Sequence, residues 1–298
     1  MEPPLAGENE RDAAVEPSPR RSPTERMGAE PVGFFTDTTL CIGCKACEVA
    51  CKQWNELPDD GIAFSGASYD NTLRLSSTTW RHVAFVERFP LYGGAVPSLT
   101  APGSWLLMSD VCKHCQRAGC LDACPTGAIA RTEFGTVYVQ PDVCNGCGYC
   151  VPSCPFGVID IELDKGLAQK CTLCYDRLGD GLEPACAKAC PTDSIQFGPV
   201  SWLKTKRERR LAELKARGVE DAYVYGDEQA GGLNASFLLL AEPESYNLPR
   251  RPHVPIENLL PASVAAAAAV VVGVAAMAAT FLGGRRAVSA SPFGRGRG

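Results

Sequence analysis

The chain has 298 residues, 45% of them hydrophobic, so it is long and apolar enough to bury a sizeable core. Its net charge of -5 argues against nucleic acid as a partner, because counterion-driven binding needs Lys and Arg clustered on one face. A disulfide framework suits short secreted chains that lack a core, so the sixteen cysteines point to other chemistry.

Residues 1–30 carry Pro3, Pro4, Pro17, Pro19 and Pro23 among many charges and almost no large apolar residues, and read as a disordered leader. Arg20 and Arg21 look like half of a twin-arginine export signal, but Ser22 to Glu30 is polar where such a signal needs an apolar stretch. The expectation is a chain with no export signal of its own.

From Pro31 to about Pro199 every cysteine falls into one of four groups of four: Cys41, Cys44, Cys47 and Cys51; Cys112, Cys115, Cys120 and Cys124; Cys144, Cys147, Cys150 and Cys154; Cys171, Cys174, Cys186 and Cys190. The first and third have the spacing C-x2-C-x2-C-x3-C, the bacterial ferredoxin run. Pro125, Pro155 and Pro191 follow the last Cys of the second, third and fourth groups. Three thiolates on one tight loop can grip three irons of a cubane, and the fourth iron must be reached from elsewhere. In two-cluster ferredoxins the fourth Cys therefore serves the other cluster, which makes the motifs obligate pairs. Gly43, Gly146 and Gly148 relieve crowding and let backbone amides turn toward cluster sulfurs.

Zinc is the competing reading, since paired C-x2-C units also build four-cysteine sites and the fourth group alone would pass as a zinc ribbon. Three closely spaced thiolates on one turn fit two tetrahedral pairs poorly. A c-type haem needs His directly after the second Cys, and Gln116 stands there, so His114 reads as an exposed loop residue.

Between the cysteine groups, Thr136 to Val139 and Val158 to Ile161 read as short hairpin strands. An insertion from about Glu56 to Ser109 contains an alternating strand, Trp80 to Val86, and is expected to shape a partner surface rather than carry chemistry. After Pro199, Ser201 to Arg217 reads as a basic helix facing water, ended by Gly218. Strands Ala222 to Tyr225 and Phe237 to Leu240 follow, then an extended, semi-rigid connector from Pro243 to Pro255.

Ala262 to Leu282 holds twenty-one residues without a charge. At about 1.5 Å per residue it spans roughly 30 Å, the thickness of a bilayer's hydrocarbon core, and reads as one transmembrane helix. The alternative is an alanine-rich helix packed in a soluble core. Ala265, Ala269 and Gly273 form a small-xxx-small face suited to a neighbouring helix. With no His, Asp, Glu, Lys or Arg, the helix offers neither a haem ligand nor a proton relay. Arg285, Arg286, Arg295 and Arg297 beyond it outnumber the more distant Arg250 and Arg251, which places the C-terminus in the cytoplasm and the clusters on the outer side. A chain so placed must be exported with a partner. No catalytic residue is proposed; His82, His114 and His253 lie in unrelated contexts.

The runs CIGCKACEVAC (Cys41–Cys51), CNGCGYCVPSCPF (Cys144–Phe156) and KCTLCYDRLGDGLEPACAKACPT (Lys170–Thr192) closely resemble the iron-sulfur (beta) subunit of membrane-bound formate dehydrogenase, over roughly Pro31 to Leu282. The resemblance implies four 4Fe-4S clusters, ligated crosswise: Cys41, Cys44, Cys47 with Cys190; Cys112, Cys115, Cys120 with Cys154; Cys144, Cys147, Cys150 with Cys124; Cys171, Cys174, Cys186 with Cys51. It implies an α+β fold of two nested ferredoxin-like halves, residues 31–61 plus 165–199 and residues 100–164, within an electron-transfer domain of 31–199. An extension (200–257), a transmembrane helix (258–284) and a basic tail (285–298) complete the organisation. The implied partners are a molybdenum or tungsten pterin catalytic subunit, a cytochrome b that reduces quinone, and the lipid bilayer. All sixteen ligand positions are Cys, where nitrate-type subunits replace one, and this favours formate. Equivalent subunits of hydrogenase or of molybdopterin reductases remain the alternative, and a zinc-bound membrane-tethered scaffold is the alternative from another class.

Overall fold

The computed structural model describes residues 30–61, 64–66, 69–70, 72–88, 91–92, 96–97 and 104–289. Those up to Val254 form one unit and those from Pro255 another. The leader expected over residues 1–30 falls, but for Glu30, outside the described residues, as does the end of the basic tail.

The first unit is a mixed helix and strand structure. Its largest sheet runs in the order Ile195–Pro199, Val32–Asp37, Ala235–Leu239, Tyr223–Tyr225. The Val32–Asp37 strand pairs antiparallel with Ile195–Pro199, and Phe34 lies opposite Phe197 with their rings 6.0 Å apart, edge to face. It pairs in parallel with Ala235–Leu239, a strand buried along its whole length. Aromatic and β-branched residues suit such a doubly covered strand.

One face of this sheet is covered by the helix Val200–Ala216, whose Leu203 and Leu214 pack with Phe35 and Leu238. The sequence expects a helix facing water, and here the structure differs: Leu203, Arg207 and Leu214 are buried. The helix ends where Gly218 adopts φ +83°, as expected.

Arg81–Arg88 pairs antiparallel with Ser104–Val111, so the strand expected at Trp80 to Val86 is present. The Thr136 to Val139 strand is observed as Val137–Val139 against Ile129–Arg131, and the Val158 to Ile161 strand two residues on, as Asp160–Glu162 against Leu167–Gln169. The stretch from Pro243 is not a free spacer. It opens with a turn of 3-10 helix, Pro243–Tyr246, and buries Tyr246, Leu248 and Val254 in the main core.

In the second unit a 3-10 turn, Pro255–Asn258, leads into the helix Leu259–Ser289. Pro255–Phe281 is long and apolar enough to cross a membrane. Val264, Val270, Val271, Val272, Met277 and Phe281 are all exposed.

Candidate metal centres

The Val32–Asp37 strand runs directly into the first cysteine loop. There Lys45 takes a left-handed conformation and starts the helix Ala46–Trp54, which carries Cys47 and Cys51. Gly43 sits at φ +67°, where a Cβ would fall 2.8 Å from the Phe85 ring, so only glycine fits. The helix packs against a second short helix, Ala185–Lys188, which carries Cys186 and delivers Cys190. Cys41, Cys44, Cys47 and Cys190 line one cavity of about 290 Å³, with Val83, Ser194 and Ile195.

Cys112 follows the Ser104–Val111 strand, and Cys120 lies in the helix Gly119–Asp122, which packs against Cys150–Ser153. Cys112, Cys115, Cys120 and Cys154 line a second cavity of about 340 Å³. Cys150 lies within electrostatic reach of Cys144, Cys124 and Cys147, and Cys51 within reach of Cys171, Cys186 and Cys174. Gly146, between Cys144 and Cys147, has φ +70°, and a Cβ there would fall 2.0 Å from the Gly166 carbonyl oxygen.

The groupings also lie within electrostatic reach of one another in a definite order. Cys47 of the first interacts with Cys186 of the Cys51 grouping; Cys171 of that grouping interacts with Cys112; Cys120 interacts with Cys150. At the two ends of this sequence stand Cys44 and Cys147, the cysteines that are exposed to solvent.

Burial governs the chemistry of the thiols. It pushes Cys47 and Cys120 up to about 12, and Cys150 and Cys174 up to about 11. At neutral pH such thiols keep their protons, and become thiolates only when a metal displaces them. Yet among the described residues no three His, Cys, Asp or Glu side chains lie close enough to hold a single ion. A lone zinc draws four thiolates to about 2.3 Å from itself. Four sulfurs that line one cavity without closing to single-ion distance instead suit a polynuclear cluster. Two buried donors beside the cysteines, Arg81 Nε and His114 Nε2, find no hydrogen-bond partner among the described residues, as expected where acceptor sulfurs belong.

Four buried polar side chains enter these sites, and the sequence reading missed all of them. His114 is 1% exposed, not a surface loop residue. Its φ is +44°, its Nδ1 accepts the Val137 N–H at 3.1 Å, and it lines the second cavity. Burial, aided by Lys170, Arg131 and Arg81, holds its ring neutral. Lys170 and Lys113, 2% and 1% exposed, line the same cavity. The Lys170 ammonium donates to the carbonyls of Val137 and Cys171, and Lys113 pairs with Asp110. Arg81 comes from the insertion that was expected only to shape a surface. Its Nη2 donates to Cys186 Sγ at 3.1 Å, and its Nη1 to the backbone and side-chain oxygens of Ser109 at 3.3 Å. The one signal was an Arg at the mouth of an apolar strand; its cysteine partner is 105 positions away.

The fold and these sites define an iron-sulfur protein. Residues 103–200 match the family described as a 4Fe-4S dicluster domain, and residues 38–54 match a 4Fe-4S binding domain. The nitrate-inducible formate dehydrogenase iron-sulfur subunit of Escherichia coli K12 is 40% identical over 227 residues, covering 75% of this chain and 74% of the relative. A formate dehydrogenase iron-sulfur subunit of Haemophilus influenzae is 38% identical over 243 residues, 80% and 75% of the two chains. The B subunit of the anaerobic dimethyl sulfoxide reductase of Escherichia coli K12 is 33% identical over 174 residues, 58% of this chain and 76% of the relative. The chain belongs to the family of formate dehydrogenase iron-sulfur subunits. It is accordingly an electron-transfer subunit of a respiratory oxidoreductase, not its catalytic subunit.

Proposed function

We propose that the chain carries electrons from a formate-oxidising molybdenum or tungsten pterin subunit, through four 4Fe-4S clusters, to a cytochrome b in the membrane. The observation that carries this reading is the pairing of sequence-distant cysteines around shared cavities, Cys190 with Cys41, Cys44 and Cys47, and Cys154 with Cys112, Cys115 and Cys120. The other two ligand sets are Cys144, Cys147, Cys150 with Cys124, and Cys171, Cys174, Cys186 with Cys51, supported by their electrostatic proximity. This ligation makes the chain two nested ferredoxin-like halves, the groups at residues 41–51 and 171–190 enclosing those at 112–124 and 144–154.

Bound clusters supply one-electron carriers. The protein's part is to hold the thiolates apart, to exclude water from the interior and to bring neighbouring sites close. Cys44 and Cys147 give the two end sites access to the surface, one for the donor subunit and one for the acceptor. The apolar helix beyond Pro255 anchors the chain in the membrane with its C-terminus in the cytoplasm and the clusters outside, and it contributes no redox group. The matches to formate dehydrogenase subunits cover a larger share of this chain than the match to the sulfoxide reductase subunit, 75–80% against 58%, and this favours formate.

Anaerobically purified protein is expected to be brown, with about sixteen irons per chain, four for each cubane. Colourless protein with stoichiometric zinc overturns the cluster reading. The large subunit that co-purifies, identified by mass spectrometry, is expected to be a pterin enzyme that oxidises formate. A hydrogenase or sulfoxide reductase in its place overturns the substrate.

A further inference from the structure

We infer that Arg81 is a potential-setting residue shared by two clusters, those of the Cys41/Cys44/Cys47/Cys190 and Cys51/Cys171/Cys174/Cys186 sets. The inference rests on the ligand sets proposed above and adds a role for a residue outside them.

Arg81 is 1% exposed, so its charge is removed from water. A guanidinium stays protonated in proteins, and burying it unpaired is strongly unfavourable. A buried arginine is ordinarily matched by a carboxylate, but no ion pair involving Arg81 occurs among the described residues. What surrounds it is sulfur. Cys186, Cys47, Cys171 and Cys51 lie within electrostatic reach of it, and they come from both sets. Nη2 donates to Cys186 Sγ of one set. Nη1 donates to Ser109 Oγ, which lies 3.2 Å from Cys47 Sγ of the other. The guanidinium thus stands at the junction of the two sites.

Its remaining face is accounted for in the same way. The ring of Phe34 lies 4.7 Å from the guanidinium carbon and holds its plane. The Nε donor has no partner among the described residues. An orphaned buried donor is unfavourable by itself and becomes satisfied when a cluster supplies an acceptor sulfur. One-electron reduction adds one negative charge to a four-thiolate cubane, so a fixed cation in a low-dielectric interior favours the reduced state. Arg81 therefore raises the potential of both clusters together, while no cysteine of the Cys124/Cys144/Cys147/Cys150 set is among those that act on it.

The test is a redox titration of the anaerobically purified full chain, followed by electron paramagnetic resonance, for wild type, Arg81→Gln and Arg81→Lys. In R81Q the two centres of these sets are expected to become harder to reduce by at least tenfold in equilibrium constant, about 59 mV per tenfold for a one-electron couple, with the Cys124/Cys144/Cys147/Cys150 centre unchanged. R81K keeps a cation and is expected to retain most of both potentials. The inference is overturned if R81Q leaves every midpoint in place, shifts all centres equally, or is matched in its shift by R81K. Should R81Q fail to load iron, wild-type protein grown with arginine carrying the heavy nitrogen isotope gives the answer. Nitrogen coupling to a reduced centre supports the contact, and its absence refutes it. Wild type that lacks four centres sinks the ligand sets; four intact centres indifferent to Arg81 sink only this inference.

Discussion

Replacing Arg210 by Ala removes the counter-charge of Asp37, a carboxylate fully buried beneath the Val200–Ala216 helix. Arg210 Nε donates to Asp37 Oδ2 at 2.8 Å, while Asp37 Oδ1 accepts from the Thr39 backbone N–H and hydroxyl at 2.9 and 2.6 Å. Orphaning one member of a buried ion pair costs about 3–5 kcal/mol. Two circumstances place this pair near the lower end: the Thr39 donors survive the change, and the Arg210 side chain is 21% exposed, so water can reach the vacated space. A loss of about 3 kcal/mol corresponds to a melting temperature lower by about 6–12 °C in a domain of this size. Because cluster loss makes unfolding irreversible, the assay is an anaerobic melt at fixed scan rate, followed by circular dichroism and visible absorbance together. Asp37→Asn in the R210A background removes the orphaned charge and is expected to recover much of the loss. A fall in melting temperature in R210A of less than about 1–2 °C, or no recovery in the double variant, refutes the argument that burial of Asp37 depends on its partner.

Four further outcomes are expected. Cys190→Ala perturbs the same paramagnetic centre as Cys41→Ala; loss of different centres refutes the crosswise ligation. Gly146→Ala, which drives a Cβ into the Gly166 carbonyl, abolishes one centre and spares the rest, and an unaltered spectrum refutes it. Stripping iron with a chelator near pH 7 takes up protons, because the thiolates of the loaded protein return to thiols that burial holds at about 11 to 12 at Cys47, Cys120, Cys150 and Cys174. An anaerobic pH-stat that, once the protons released by the chelator on binding iron are subtracted, records no uptake beyond that of the released sulfide refutes this. A chain ended after Val254 keeps its iron but leaves the membrane fraction, and a reporter fused after Gly298 is active only in a cytoplasmic form; membrane retention or periplasmic activity overturns the anchor or its orientation.

What could be read from the sequence, and what could not, divides by distance along the chain. The first and third cysteine groups each lie within eleven residues in the spacing of the ferredoxin run, so their spacing points to a cubane, and the short strands beside them show as β-branched runs. The Val200–Ala216 helix was equally legible as a helix, but its setting was not. Its buried face includes Arg207, 4% exposed and paired with Asp227, so a count of apolar positions finds too few to suggest packing. The prolines after Pro243 suggested an extended spacer, whereas the Tyr246 hydroxyl accepts the Leu240 N–H at 3.3 Å and folds the segment back. Arg81 and Lys170 share one reason for being missed. A cation in an apolar run announces that some anionic partner exists, and the groups near these two are thiols, neutral to any sequence-based count of charge until iron makes them thiolates. The net charge of -5 therefore understates the electrostatics of the loaded protein. Its interior cations offset charges that arrive only with the cofactor, and the apo chain should be destabilised by those same residues that steady the holo form.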